Sequence, residues 1–285
     1  MGEMRRRMEK ELKLRGYSLR TINTYLRWVH KFVEYHKRPA ELMGAEEARS
    51  YVFDLIEERK LSGSTVNQAI CAIRFFYLKV LRRPFDLEDL TYPKRKRRLP
   101  FALSEVEVAA LFNAEANLKH RAILMTLYSG GLRLQETIEL QPTDIDSAGM
   151  RIRIRAGKGG KERYVMLSAV LLDTLRTYFK QYRPEKWLFF GETKEHQIHP
   201  RTVQRVVERA AVAAGIQRRV NTHVLRHSFV THLLARGTNL RYIQELLGHR
   251  NLQTTMIYTH VSGGKLTAVV SPLDWLFASP KEPPK

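Results

Sequence analysis

Apolar residues at Ile22, Tyr25, Leu26, Val29, Phe32 and Val33 recur every three or four positions, the spacing that lines one side of an α-helix. Ser18 stands where the N-cap of that helix belongs. A second helix is expected over about 45–59. A third begins after Ser62-Gly63-Ser64 and buries Val66, Ile70, Ile73, Phe76, Tyr77 and Val80, with Pro84 as its stop. Cys71, flanked by Ile70, Ala72 and Ile73, reads as one more buried apolar residue of this stripe. Residues 1–92 therefore predict an N-terminal bundle of about four helices.

The pattern restarts at Leu103-Ser104-Glu105-Val106-Glu107, where Ser104 and Glu107 form a capping box. Helices are expected at about 104–113, 117–129 and 133–139. Arg151-Ile152-Arg153-Ile154-Arg155 then alternates with period two, and Arg163-Tyr164-Val165-Met166-Leu167 answers it across a glycine-rich turn, Ala156–Lys161. That is the signature of a β-hairpin. Helical spacing returns at about 168–182, 199–214, 221–235, 239–247 and 250–257, and Leu188-Phe189-Phe190 reads as a short strand or a core-filling run. The fold class is mainly α (α+β): a helical bundle over 1–92, a linker over 93–100, a mixed helical domain with a small β-hairpin over 101–270, and a tail over 271–285.

Charge narrows the function. Among 285 residues, Lys and Arg number 49 against 29 Asp and Glu, a net charge of +20, while 44% hydrophobic content is that of a globular protein. Such an excess points to a polyanion. Nucleic acid is the leading partner and an anionic membrane surface the rival; the rival lacks a separate basic amphipathic helix or a lipidation signal. Lys94, Arg95, Lys96, Arg97 and Arg98 form an unbroken basic run between Pro93 and Pro100. It is a solvated linker that can also follow phosphates along a duplex. The lone Cys71 excludes an intrachain disulfide and a cysteine-based metal site. The charged start, Met1 to Glu11, has no apolar run behind it, and no apolar run approaches the ~18 residues of a membrane span. A cytoplasmic, nucleoid-associated protein is expected.

Several residues carry candidate chemistry. Lys158 lies in the hairpin turn, where its ammonium could reach a groove and protonate a leaving oxygen; a solvent-exposed basic turn is the plainer reading. The turn is no nucleotide-binding loop, because Glu162 follows Lys161 where Ser or Thr is needed and a strand follows rather than a helix. His223 and Arg226, three apart on a helix, can hold two oxygens of one phosphate. Zinc on His223, His227 and His232 lacks a completing ligand, so His227 and His232 read as packing or supporting residues. Arg133 follows Gly130-Gly131-Leu132 at a helix start and can face an anion, or simply decorate the surface. His249 follows the C-cap glycine Gly248, and Tyr258 ends a helical run where tyrosines are usually core.

Taken together, Gly131-Leu132-Arg133-Leu134-Gln135-Glu136, Gly157-Lys158-Gly159, His223-Val224-Leu225-Arg226-His227, Leu246-Leu247-Gly248-His249 and Tyr258-Thr259-His260 resemble, in order and spacing, the tyrosine recombinase (phage-type integrase) family. The resemblance spans roughly residues 15–262 and leans toward Xer-like and integron-integrase-like members. Gln135 departs from the small residue more common there, and 182–199 is too short for the extra helix of the integron branch. The resemblance implies a site-specific DNA recombinase from a mobile element or chromosome. Tyr258 would be the nucleophile, Arg133 and Arg226 the phosphate holders, Lys158 the general acid, His223 the general base, His249 a supporting donor and Glu136 the residue that orients Arg133. Lys94 to Arg98 and Lys161 would contact DNA. It further implies no cofactor and no metal, duplex recombination sites as substrate, a homotetramer in the synaptic complex with a monomer when free, and a C-terminal tail that is exchanged between subunits, packing on its own domain being the alternative. A type IB topoisomerase and a non-catalytic DNA-binding accessory protein are the alternatives.

Overall fold

A computed structural model describes residues 2–85, 101–155, 162–248 and 271–277. The chain divides into two compact units, 1–98 and 99–285. Among the described residues the regular elements of the first are helices: α1 (Gly2–Leu14), α2 (Leu19–His36), α3 (Ala45–Glu57) and α4 (Gly63–Phe75). The expected stripe of α2 is the observed one, with Ile22, Leu26, Val29 and Phe32 buried beside Trp28. Ser18 caps it, its Oγ accepting from the Thr21 N–H at 3.3 Å. α2 packs on α4, and Phe32, Tyr51, Phe76 and Tyr77 fill the space between them and α3. The Tyr77 hydroxyl donates to the Ala40 carbonyl at 2.8 Å, which ties the end of the α4 run to the loop after α2.

Two details differ from expectation. The α4 run widens into a π-helix over Phe76–Leu81 and stops at Arg82 (φ 55°), before Pro84 is reached. Cys71 is exposed rather than buried. The buried stripe of α4 runs through Ile70, Ala72 and Ile73, which turns position 71 to the opposite side together with Asn67 and Gln68.

The second unit is built around α6 (Leu118–Ser129). Every residue from Ala122 to Ser129 is buried, as expected of a helix enclosed on all sides. Around it lie α5 (Glu105–Asn113), α7 (Leu134–Ile138), α8 (Ala169–Tyr182), α9 (Pro200–Ala213), α10 (Thr222–Ala235) and the short α12 (Pro272–Leu276); α11 (Leu240–Leu247) follows α10. Ser104 and Glu107 form the expected capping box, at 2.8 and 3.2 Å. The expected hairpin is present as β2 (Arg151–Ile154) and β3 (Arg163–Met166), antiparallel, with Ile152 opposite Val165. A two-residue strand, β1 (Ile145–Asp146), extends it to the order β1-β2-β3. Leu188 and Phe189 are buried, and Phe190 makes an isolated bridge with Gln197. The expected helix at 250–257 and the turn at 156–161 lie outside the described residues.

Within this one chain α12 lies against its own domain. The Ser271 and Ser129 hydroxyls are 3.1 Å apart, and the Asp274 carboxylate accepts from Ser168 Oγ and from the Val170 N–H.

Strand β2 is tied to a buried carboxylate. Asp144, 1% exposed, accepts from Nε of Arg153 at 3.1 Å and of Arg155 at 2.9 Å, and from the Gln141 N–H at 2.9 Å. Asp144→Ala is expected to destabilise the protein by about 2 kcal/mol, since it removes charge-assisted hydrogen bonds at a site closed to water. Chemical denaturation checks this, and a loss under ~0.5 kcal/mol, the range of ordinary surface changes, would show that Asp144 is no such anchor.

Candidate active site

The site is organised by Glu136, in the first turn of α7. One of its carboxylate oxygens accepts from the Arg133 N–H and the other from Arg133 Nη1, both at 2.8 Å. Arg163, on β3, meets the same carboxylate with a fork, Nη1 to Oε1 at 2.9 Å and Nη2 to Oε2 at 2.8 Å. Arg226, on α10, stands 3.8 Å from Oε2 through Nη1. Three guanidiniums thus share one carboxylate whose side chain is 9% exposed. Three guanidinium charges face one carboxylate charge, a local excess of two positive charges near neutral pH.

The backbone is shaped to allow this. Gly131 adopts φ 57°, and a Cβ there would lie 2.5 Å from Phe229 Cδ1, so only glycine fits. The Gly131 carbonyl accepts from Arg226 Nη1 at 2.6 Å, and the Leu247 carbonyl accepts from Nη2 at 3.0 Å. Arg226 is buried while Arg133 keeps 40% of its side chain exposed, so Arg133 is the member that faces outward. Asn221 Oδ1 caps α10, accepting from the His223 and Val224 N–H groups at 2.9 and 3.2 Å. His223 is exposed at the first turn of that helix, one turn before Arg226.

Burial and charge pull in opposite directions here. Burial alone would raise the Glu136 carboxyl, but the hydrogen bonds and charges of Arg163 and Arg133 outweigh it and hold the group at about 2. Burial, then the Arg133 charge, pushes the Arg226 guanidinium down to about 9. A buried cation disfavoured in this way gains from any anion that joins it. The arrangement suits a phosphate with two non-bridging oxygens, for which guanidinium forks are the natural donors.

The sequence-predicted residues fare as follows. Arg133, His223 and Arg226 fall in the described structure, and Arg133 and Arg226 converge on Glu136. The expected role of Glu136 in orienting Arg133 matches the two hydrogen bonds between them. Lys158, Lys161, His249, Tyr258 and the linker residues Lys94, Arg95, Lys96, Arg97 and Arg98 lie outside the described residues. His232 is buried with Nδ1 2.7 Å from the Tyr128 hydroxyl and Nε2 2.9 Å from the Leu103 carbonyl, so neither nitrogen is left for a metal. Burial pushes its imidazole down, toward the neutral form. Gln135 is exposed. Arg163 was not foreseen as part of the site. A signal existed: period two places it on the same face as Val165, and a cation on the inward face of a strand needs a partner.

The chain is similar to known proteins along most of its length. Residues 102–264 match the phage integrase family, and residues 4–87 match the phage integrase N-terminal SAM-like domain. A putative integrase/recombinase of Sinorhizobium fredii is 40% identical over 285 residues, covering 100% of this chain and 92% of the relative. The tyrosine recombinase XerA of Pyrococcus horikoshii is 35% identical over 254 residues, 88% of this chain and 86% of that protein. A lambda integrase dimer bound to a core site superposes with a TM-score of 0.73 over 93% of this chain and 99% of that one; at 16% identity the likeness is one of fold.

The depressed Glu136 carboxyl makes a pH prediction. Its ion pairs contribute fully above the ordinary carboxylate value of 4.5 and are lost as pH falls toward about 2, a difference of about 3 kcal/mol. Glu136→Gln cannot titrate. The stability gap between wild type and Glu136→Gln, from denaturant unfolding, should be widest near neutrality and shrink by about 3 kcal/mol between pH 5 and pH 2. A gap independent of pH would contradict the assignment.

Proposed function

Because the chain belongs to the phage integrase family of tyrosine recombinases, we propose that Arg133 and Arg226 bind the scissile phosphate of a duplex recombination site and that Tyr258 attacks it. The protein is a site-specific DNA recombinase, an integrase that cuts and rejoins DNA. The observation that supports the residue assignments is the arginine cluster on Glu136, cationic in excess and open toward solvent at Arg133.

In this reading the Tyr258 oxygen attacks phosphorus and its proton passes to His223. The bond from phosphorus to the 5′ oxygen breaks, and Lys158 supplies the proton that makes that oxygen a hydroxyl. The product is a 3′-phosphotyrosyl link. Arg133 and Arg226, with His249, stabilise the charge that builds on the non-bridging oxygens. Resealing is the reverse: a 5′ hydroxyl from the exchanging strand attacks, Lys158 takes back a proton, and tyrosine leaves with one from His223. The covalent link conserves the energy of the broken bond, so the cycle runs without ATP, and the guanidiniums supply the positive charge that a metal would otherwise provide.

Strand exchange through a Holliday junction requires subunits paired across two sites. We place the protein in a homotetramer in the synaptic complex, as a monomer when free, and at the nucleoid in the cell. Residues 1–92 and 101–270 each grip duplex DNA, with Lys94 to Arg98 and Lys161 on phosphates. The net charge of +20 supports this. Exchange of the 271–285 tail between subunits would require α12 to give up its Ser271 and Asp274 hydrogen bonds within the chain.

The test is covalent trapping on nicked duplexes drawn from DNA flanking the gene, in EDTA. Wild type should form an SDS-resistant adduct. Tyr258→Phe should form none while binding DNA as tightly, and Arg133→Ala should cleave about 10²–10³-fold more slowly. An adduct persisting in Tyr258→Phe would move the nucleophile elsewhere. Lys158→Ala should cleave slowly on an ordinary phosphate and recover on a 5′-bridging phosphorothiolate, whose leaving group needs no proton. Failure to recover would remove the general-acid role.

A further inference from the structure

Arg163 is the one cation of the cluster to which neither sequence pattern nor the proposed chemistry gives a task. Its Nε donates to the Leu246 carbonyl at 2.7 Å while Nη1 and Nη2 grip the two oxygens of Glu136 at 2.9 and 2.8 Å. All three nitrogens of the guanidinium are thereby engaged, and the side chain is only 16% exposed. Its fork and its Nε are spent on two other parts of the protein, α7 and the end of α11. We propose that Arg163 is a positioning residue, a brace that fixes the C-terminus of α11 to the carboxylate that orients Arg133.

The geometry carries this in three steps. First, the last carbonyls of a helix have no partner within it and attract cations. In α11 two of them are held by guanidiniums of the site, Leu246 by Arg163 and Leu247 by Arg226. Second, Gly248 turns the chain out of α11 at φ 62°, and its α-carbon lies against the Arg163 side chain: a Cβ there would stand 3.1 Å from Cδ and 3.3 Å from Nη1. The chain leaving that turn begins with His249 and leads to Tyr258. Third, Arg163 sits opposite Ile154, the last residue of β2. One planar side chain therefore joins β3, α7 and the end of α11. Lysine could keep the charge and one carboxylate contact, but it has no second arm for Leu246.

This inference rests on the recombinase reading for its catalytic arm and has a second arm that does not. The variant is Arg163→Lys in the full chain, which keeps the charge. In hydrogen–deuterium exchange without DNA, amides in the last turn of α11 and at Gly248, and the Arg133 amide, should exchange about tenfold or more faster than in wild type, while those of α6 are unchanged. On the nicked duplex that gives a wild-type adduct, the single-turnover rate at saturating DNA should fall by about 10²-fold, the scale of an ångström-sized misplacement, with Kd within about threefold. A purely electrostatic role for Arg163 predicts wild-type behaviour from lysine in both arms, and unaltered exchange overturns the proposal by itself. A loss spread over Kd, α6 exchange and Tm would mark Arg163 as a general stabiliser and also overturn it. If wild type forms no adduct, the recombinase reading fails, while the exchange arm still decides whether the brace exists.

Discussion

The catalytic domain turns on one carboxylate. Glu136 is largely shielded from water, and a bare carboxylate there would be costly or would simply take up a proton. It stays ionised because Arg133 and Arg163 reach it from two different elements, with Arg226 nearby from a third. The dependence is mutual. Three guanidiniums drawn from 133, 163 and 226 would repel one another without a negative charge among them. One carboxylate is enough to assemble them and too little to neutralise them, which leaves a cationic excess for a phosphate. Glu136 thus sets both the order of the site and its appetite for anions.

Backbone geometry serves the same end. Gly131 must be left-handed and without a side chain because Phe229 lies beneath it, and this turn presents its carbonyl to Arg226. Gly248, also left-handed, ends α11 so that Leu246 and Leu247 offer theirs to Arg163 and Arg226. Neither glycine takes part in chemistry. Each converts an unsatisfied helix-end group into a hydrogen bond that aims a cation, so the arginines are held by main chain as well as by Glu136.

Much of this could be read in advance, and the limits have a physical pattern. Elements with sustained periodicity were legible: the α2 stripe from Ile22 to Phe32, the Ser104–Glu107 capping box, and the β2–β3 alternation all rest on local spacing. Strand β1 escaped because two residues cannot display a period. Cys71 was misread because its neighbours are apolar, although a helix turns adjacent residues about 100° apart and the stripe through Ile70 and Ile73 leaves position 71 outside. In the site, Arg133 and Arg226 stood in recognisable local contexts. Arg163 did not: its meaning lies in contacts with Glu136, 27 positions earlier, and Leu246, 83 positions later. Nothing in linear spacing reports a meeting of that kind, except the anomaly of a cation on an inward strand face.

That anomaly bears on how such a site tolerates change. An outward-facing donor such as Arg133, with 40% of its side chain exposed, leaves water room to replace its side-chain hydrogen bond to Glu136. A buried donor does not. Removing Arg163 leaves the Glu136 carboxylate short of two hydrogen bonds and the Leu246 carbonyl short of one, in a region water reaches poorly. The neighbours would then have to move to recover partners, and the first to hand is Arg133, already bonded to the same oxygens. A change at Arg163 is therefore transmitted to Arg133, the residue proposed to hold the phosphate. Arg133, the proposed phosphate holder, and Arg163, its proposed brace, meet on one carboxylate, and only the first has a signature short enough to be seen in a stretch of sequence.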